Sequence, residues 1–246
     1  MAIKLSVIIP AFNEEKRIRK TLEDVDRYLE KQNYDYEIIV VDNNSRDHTA
    51  RVVKEMEHSS VQNSKILEEW SKGKGAAVQR GVSEATGQYI MFMDADNATP
   101  ISEIEKFWPY LEAGMEVVIG DRYLDPAHKS HQPWLRTIFS RLSNLLIQLV
   151  LVPHIHDTQA GFKAFQAEAA RQIFRNLTIH GWAFDMELLA IALKFSYRIK
   201  TVPIIRNDPG ESTVPPTAFL ESLRDLFIIK WRALTGKYTP FNHQSS

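Results

Sequence analysis

The chain has 246 residues, a formal net charge of −1 and no cysteine. Apolar residues make up 44% and charged residues 25%, a composition suited to one large globular domain with a sizeable core. These totals exclude disulfides, zinc–thiolate sites and thiol nucleophiles, and give no reason to expect a nucleic-acid partner.

The chain begins Lys4-Leu5-Ser6-Val7-Ile8-Ile9, too short and too soon charged for a signal peptide. The nearest approach to a membrane span, Ile138–Val152, is interrupted by Arg141, Ser143, Asn144 and Gln148. The expectation is therefore a soluble or membrane-peripheral protein.

Taken in order, the first half alternates strand-like and helix-like segments, the pattern of a parallel sheet covered by helices. Lys4–Ala11 reads as a strand, and Glu14–Lys31 as a helix with Ile18, Leu22, Val25 and Leu29 on one stripe. Tyr36–Asp42 (strand), Asp47–His58 (helix), Ser64–Leu67 (strand) and Gly75–Thr86 (helix) follow. The strand Tyr89–Met93, a helix through Ile104–Glu112 and a strand Val117–Gly120 complete this half. Beyond residue 121, Trp134–Val150 reads as a long amphipathic helix. A polar joint, Asp157–Lys163, leads to helices near Glu168–Arg175 and Phe184–Phe195, then an edge strand at Arg198–Pro203. Ala218–Leu234 closes the chain with Phe219, Leu220, Leu223, Leu226, Phe227, Trp231 and Leu234 on one face. Core packing explains both long helices, and so does a position in a lipid interface.

Four stretches carry candidate chemistry. In Tyr89–Asn97 an apolar strand breaks into Asp94-Ala95-Asp96. At strand spacing, residues i and i+2 share a face, so both carboxylates can reach one hard cation at the edge where open α/β sheets hold ligands. Capping of the next helix is the alternative. Pro10-Ala11-Phe12-Asn13-Glu14-Glu15 sits where the first strand meets the first helix; Glu14 can face the crevice and Asn13 can cap the helix. Asp42, ending the second strand, is placed to accept hydrogen bonds from a base or ribose, while Ser45 or Asp47 suits a cap for the next helix. Lys72-Gly73-Lys74-Gly75 is a basic turn entering a helix, suited to an anion or simply to a turn; it lacks P-loop spacing.

The order P-A-F-N-E-E, V-D-N-N-S, G-K-G-A-A, D-A-D resembles the family 2 glycosyltransferases. Gly120–Tyr123, Asp157–Lys163 and Trp182–Leu188 further resemble the enzymes that load a sugar onto polyprenyl phosphate, closer to dolichyl-phosphate β-glucosyltransferases than to mannosyl enzymes. The resemblance covers about residues 4–236. No Q-x-x-R-W motif of the processive synthases is present.

The resemblance implies the α/β GT-A nucleotide-diphospho-sugar transferase fold, with a mostly parallel central sheet flanked by helices and C-terminal amphipathic helices. It divides one domain into a nucleotide-sugar half (1–121), an acceptor half (122–236) and a tail (237–246). It implies inverting transfer of a hexose, glucose from UDP-glucose first, onto a polyprenyl phosphate at the cytoplasmic face of a membrane. Donor contacts fall on Pro10, Phe12, Glu14, Val40, Asp42, Lys74, Asp94, Ala95, Asp96 and Arg206. Asp94 and Asp96 would hold Mg2+ or Mn2+; Asp96 and Arg122 would be catalytic. Arg122, Arg136, Arg141 and Lys163 are the candidates for the acceptor phosphate. Arg136 and Arg141 stand about 140° apart on a continuous helix, so Arg141 is preferred of the two.

Two positions depart from the family pattern: Asn43 replaces a second acid, and Thr213 a lysine, whose phosphate contact Arg206 could supply. A phosphate monoester is already anionic near neutral pH, so a strong general base is dispensable. Glu187 is read as orienting a basic loop. A rival transferase acting on a soluble glycan or protein would need a base, for which Asp185 is the candidate. A non-catalytic nucleotide-sugar-binding protein is the remaining alternative.

Overall fold

The computed structural model describes residues 2–124, 146–207 and 218–240. Among these, seven strands occur in chain order: β1 (Leu5–Ala11), β2 (Tyr36–Asp42), β3 (Ser64–Glu68), β4 (Tyr89–Met93), β5 (Val117–Asp121), β6 (Phe162–Gln166) and β7 (Ile199–Pro203). The helices are α1 (Ile18–Leu29), α2 (Thr49–Ser59), α3 (Lys74–Glu84), α4 (Trp108–Glu112), α5 (Ala167–Asn176), α6 (Phe184–Lys194) and α7 (Ala218–Leu234). A 3-10 helix occupies Ile101–Lys106, and residues 146–150 are helical, the described end of the long predicted helix.

The strands make one sheet in the order β3-β2-β1-β4-β6-β5-β7. β3, β2, β1 and β4 run parallel; β6 is antiparallel to both β4 and β5, and β7 is parallel to β5. Helices cover both faces, so the strands read as continuous apolar runs. The alternation within β1 divides the core: Leu5, Val7 and Ile9 face one layer with α1, α2, the 3-10 helix and α4. Ile8 faces the other, with α3, α5, α6 and the buried side of α7. The predicted stripe of α1 is fully buried at Ile18, Leu22, Val25 and Leu29.

Three details depart from the sequence reading. The helix expected from Glu14 begins at Ile18, because the preceding residues are tied into the β2 loop. The helix expected through Ile104–Glu112 is split into a 3-10 turn and α4; Pro109 lacks the N–H that would continue the ladder. The joint at 157–163 runs into a central strand, β6, which the sequence concealed by placing Lys163 in it. The edge strand at the C-terminal side is β7, as expected.

Candidate active site

The ends of β1, β2 and β4 are shaped by left-handed asparagines: Asn13 (φ 57°), Asn44 (φ 61°) and Asn97 (φ 51°). Asparagine adopts this conformation more readily than most side chains. Asn13 does not cap α1. Its N–H donates to Ser45 Oγ at 2.9 Å, and its Oδ1 accepts from Arg46 N–H at 2.8 Å, knitting the β1 loop to the β2 loop. Asp47 does serve the start of α2, accepting from Thr49 N–H at 3.0 Å, and it also accepts from Glu15 N–H at 3.2 Å.

Within this edge Pro10 is buried, and Phe12 projects outward, 53% exposed. Glu14 forms a fork with Arg17 at 2.7 and 2.9 Å. Burial raises the Glu14 pKa against the pull of Arg17, and the negative charges of Asp96 and Asp47 add to the rise. Asp42 is 6% exposed; Oδ2 accepts from Ser45 N–H at 3.2 Å. Its Oδ1 is buried with no hydrogen-bond partner among the described residues. Val40 is entirely buried in the core under this edge.

Asp94 Oδ1 accepts from Lys74 Nζ at 2.5 Å. Burial opposes ionisation of Asp94, but the Lys74 charge and hydrogen bond hold its pKa below the usual range, with Arg206 and Lys163 contributing at longer reach. For Lys74, burial is outweighed by Asp94, Asp185 and Asp96, which raise its pKa. Of these acids, Asp94 is the one in contact with the Lys74 ammonium. A Cβ on Gly161 would lie 2.2 Å from Asp94 Oδ2, so only glycine leaves room for this carboxylate. Ala95 is buried, and its carbonyl accepts from Thr21 Oγ1 at 2.7 Å. Asp96 is partly exposed, and its Oδ1 accepts from Ala98 N–H at 3.0 Å, a local turn rather than a cap of the 3-10 helix.

Among the described residues no group of three or more His, Cys, Asp or Glu side chains converges as a metal cluster. One or two carboxylates suffice for a magnesium-type ion completed by phosphate oxygens and water. Asp96 and Asp94 are the carboxylates that would hold such an ion; Asp94 Oδ1 already accepts from Lys74, and Asp96 Oδ1 from Ala98 N–H.

Both described acceptor-phosphate candidates are paired with buried acids. Lys163 is wholly buried, donating to Asp185 Oδ1 and to the Ala160 carbonyl, both at 2.6 Å. Burial pushes its pKa down against the pull of Asp185. It therefore locks β6 to α6 and is not presented to an incoming phosphate. Arg122 forks onto Asp157, Nε to Oδ2 at 2.6 Å and Nη2 to Oδ1 at 2.7 Å. Burial opposes the Asp157 charge, yet Arg122 holds the Asp157 pKa low. Arg136, Arg141 and Thr213 lie outside the described residues.

Arg206 follows β7 and is partly buried. Its neighbours pin it: Ile205 N–H donates to buried Glu103 at 2.9 Å, and Asn207 N–H donates to the Ala98 carbonyl at 2.7 Å. The loop carrying Asp96 and the strand exit carrying Arg206 are thus one unit.

Asn43 shows why an acid is absent there. Its amide donates to the carbonyls of Glu69 (3.0 Å) and Ser71 (2.7 Å), and its Oδ1 accepts from Gly73 N–H at 2.9 Å. A carboxylate would face two carbonyl oxygens. Gly73 has φ +122°, and a Cβ there would meet the His180 carbonyl at 2.1 Å. Glu187, fully buried, accepts from Thr178 N–H (2.9 Å), Ile179 N–H (2.6 Å) and Tyr238 OH (2.8 Å). It orders the 178–180 segment that clamps the basic turn, through Gly75 N–H to the His180 carbonyl at 2.9 Å. The sequence missed Asp157 and Gly161 as functional positions, although both lie in the Asp157–Lys163 motif.

The architecture is that of solved sugar-nucleotide transferases. Mannosyl-3-phosphoglycerate synthase from Rubrobacter xylanophilus superposes with a TM-score of 0.73 at 16% identity, over 99% of this chain and 78% of that one. Glucosyl-3-phosphoglycerate synthase from Mycobacterium tuberculosis, in complex with Mn2+, UDP-glucose and phosphoglyceric acid, superposes with a TM-score of 0.67 at 18% identity, over 98% and 82%. In sequence, the chain is 33% identical to human dolichyl-phosphate β-glucosyltransferase, covering 96% of this chain and 77% of that protein. It is 30% identical to the Saccharomyces cerevisiae protein of the same name, again over 96% and 77%. The family model for glycosyl transferase family 2 matches residues 6–174. With the paired aspartates, the basic turn and the GT-A sheet now accounted for, the chain belongs to glycosyl transferase family 2 and is a glycosyltransferase.

Proposed function

We propose that the enzyme transfers glucose from UDP-glucose to the phosphate of a dolichyl-type polyprenyl lipid, giving a β-linked lipid-phosphate sugar by inversion. The relatives named dolichyl-phosphate β-glucosyltransferase support the reaction, since they align with nearly the whole chain. The observation that carries the acceptor class is the state of Asp185. The carboxylate that would deprotonate a hydroxyl acceptor is buried and bound to Lys163 at 2.6 Å. A phosphate acceptor is already an anion and does not need that base.

In this reading Asp42 and Phe12 receive the nucleoside, and Lys74 and Arg206 oppose the charge of the diphosphate. Asp96, with Asp94, would hold Mg2+ or Mn2+, which when bound supplies Lewis-acid stabilisation of the departing diphosphate. A phosphate oxygen attacks the anomeric carbon as the bond to the UDP oxygen breaks. Arg122 approaches the acceptor or donor phosphates as a positioned guanidinium: the Asp157 fork uses two of its five N–H groups and fixes its plane. Arg136 and Arg141 remain candidates for the lipid phosphate.

A peripheral position at the cytoplasmic face of a membrane is part of the proposal. On α7, Phe227, Trp231 and Leu234 are 58%, 68% and 72% exposed at helical spacing, with Arg224, Lys230 and Lys237 nearby in sequence. That pattern suits a helix resting in a lipid interface. No helix of the described residues is long and apolar enough to cross a membrane.

The test is incubation with radiolabelled UDP-glucose or GDP-mannose, a short polyprenyl phosphate and Mn2+. Label from UDP-glucose should enter the organic phase, and chelator should stop it. Transfer to water-soluble acceptors without lipid, or a preference for GDP-mannose, would overturn the assignment.

A further inference from the structure

After α7 the chain doubles back onto the core. Gly236, at φ +71°, lets it turn without strain, and Lys237 N–H closes the turn on the Arg232 carbonyl at 3.1 Å. Tyr238 then enters the core, 2% exposed. Thr239 is fastened to Asn176 of α5 by two hydrogen bonds, Thr239 N–H to Asn176 Oδ1 at 3.0 Å and Asn176 Nδ2 to the Thr239 carbonyl at 3.1 Å.

Two side chains of this region converge on one carboxylate. Tyr238 OH donates to Glu187 Oε1 at 2.8 Å, and Arg232 Nη1 stands 3.5 Å from the same oxygen while donating to Thr178 Oγ1. Burial and the Glu187 charge raise the Tyr238 pKa, so the phenol keeps its proton for this bond. Glu187 is wholly buried, and its remaining bonds run to the Thr178 and Ile179 N–H groups and the Thr178 hydroxyl. From there contact continues to the basic turn. Gly75 N–H donates to the His180 carbonyl, and a Cβ on Gly75 would lie 2.7 Å from Phe184 Cβ and 3.0 Å from the Ile179 carbonyl oxygen. Lys74, between the two glycines pressed against this segment, reaches Asp94 at 2.5 Å. A turn packed this closely moves only with its neighbour, because dense interiors transmit small displacements.

We propose that Tyr238 and Arg232 are positioning residues for the donor site: they hold Glu187, Glu187 holds residues 178–180, and those hold Lys74 where the diphosphate arrives. Filling the core explains the Tyr238 ring, but not why its hydroxyl and a guanidinium from α7 meet on the carboxylate that orders the 178–180 segment. The inference rests on the UDP-sugar donor proposed above and extends its binding machinery to residues that act through Lys74.

The experiment is calorimetric titration of the full chain with UDP and Mn2+, comparing wild type with Tyr238→Phe and Arg232→Gln, each also made in a Lys74→Gln background. Glutamine at 74 keeps a donor for Asp94 and removes the charge. Each single variant should weaken UDP by about fivefold where Lys74 is present, and by less than about twofold in the Lys74→Gln background. Steady-state kinetics should show the same split: the KM for UDP-glucose rises while the KM for polyprenyl phosphate stays at the wild-type value. Melting curves establish that each variant is folded at the assay temperature; Arg232, partly exposed, carries the test where Tyr238→Phe does not fold. Wild-type UDP affinity in the folded variants overturns the positioning role, as does an equal loss with and without Lys74, and the donor assignment then stands. A wild-type protein that does not bind UDP with Mn2+ overturns the donor assignment itself.

Discussion

Three cations at the C-terminal edge of the sheet each meet an acid: Lys74 with Asp94, Lys163 with Asp185, and Arg122 with Asp157. The three differ in what they leave for a ligand. Lys163 and Asp185 are both buried, so removing one strands the other's charge; Asp185→Asn should lower stability by about 3–5 kcal/mol in denaturant unfolding. Asp157 is buried with a pKa held down by Arg122 after burial is overcome. The folded protein therefore binds fewer protons there than the unfolded chain. The stability it contributes is present above the unfolded carboxylate value of about 3.9 and is lost as pH falls through the lower folded value. Asp157→Asn should accordingly unfold with less acid dependence than wild type below about pH 4, which acid titration by circular dichroism would read. Asp96, partly exposed and bonded to its own loop, should tolerate Asn in the fold while kcat drops by roughly a hundredfold or more. A melting curve beside the transfer assay separates the two effects. The residue types at this edge were legible from the motifs; the partners were not. Which acid meets which cation depends on β6 entering the sheet beside β4, and Lys163 within β6 was itself the reason that strand went unread.

At the scale of single elements, α7 combines two roles that one hydrophobic stripe could not separate in the sequence. Leu226 and Ile229 are buried in the core, while Phe227, Trp231 and Leu234 point outward. Truncating the helix would therefore open the core as well as remove the exposed stripe. Paired substitution Phe227→Ser and Trp231→Ser isolates the outer face. It should leave the melting temperature nearly unchanged and weaken partition onto anionic vesicles by at least tenfold, since each large apolar side chain is worth about 1.5–3 kcal/mol when buried. Vesicle cosedimentation of the pair of variants at wild-type levels would remove α7 from the lipid interface. The amphipathic spacing was visible beforehand, but the division of the stripe follows from the way α7 packs on α6. Helix starts were the other weak point: α1 begins late because Glu14 and Glu15 donate their backbone N–H groups to Thr49 and Asp47 across the sheet edge. No local propensity encodes a bond to a residue more than thirty positions away.

Over the whole molecule, the β3-β2-β1-β4 order and its helices were readable because alternating apolar runs and amphipathic stripes are local signals. The far side of the sheet was less so, because its centre is a strand running the opposite way. A donor that bridges the two sides should stiffen the entire fold. UDP with Mn2+ at a hundred times its dissociation constant should add about 2.7 kcal/mol and raise the melting temperature by roughly 5–10 °C. Differential scanning fluorimetry with and without the pair would check this, and no shift would argue against a shared site at the sheet edge.

The insertion of β6 between β4 and β5 also governs how the chain is made. While a ribosome has released only the first 121 residues, Tyr89–Met93 has β1 on one flank and nothing to pair with on the other. That segment is wholly apolar, so the unfinished chain presents a sticky rim until Phe162–Gln166 emerges and zips into the gap. Expressing the first 121 residues as a separate fragment should therefore yield insoluble material.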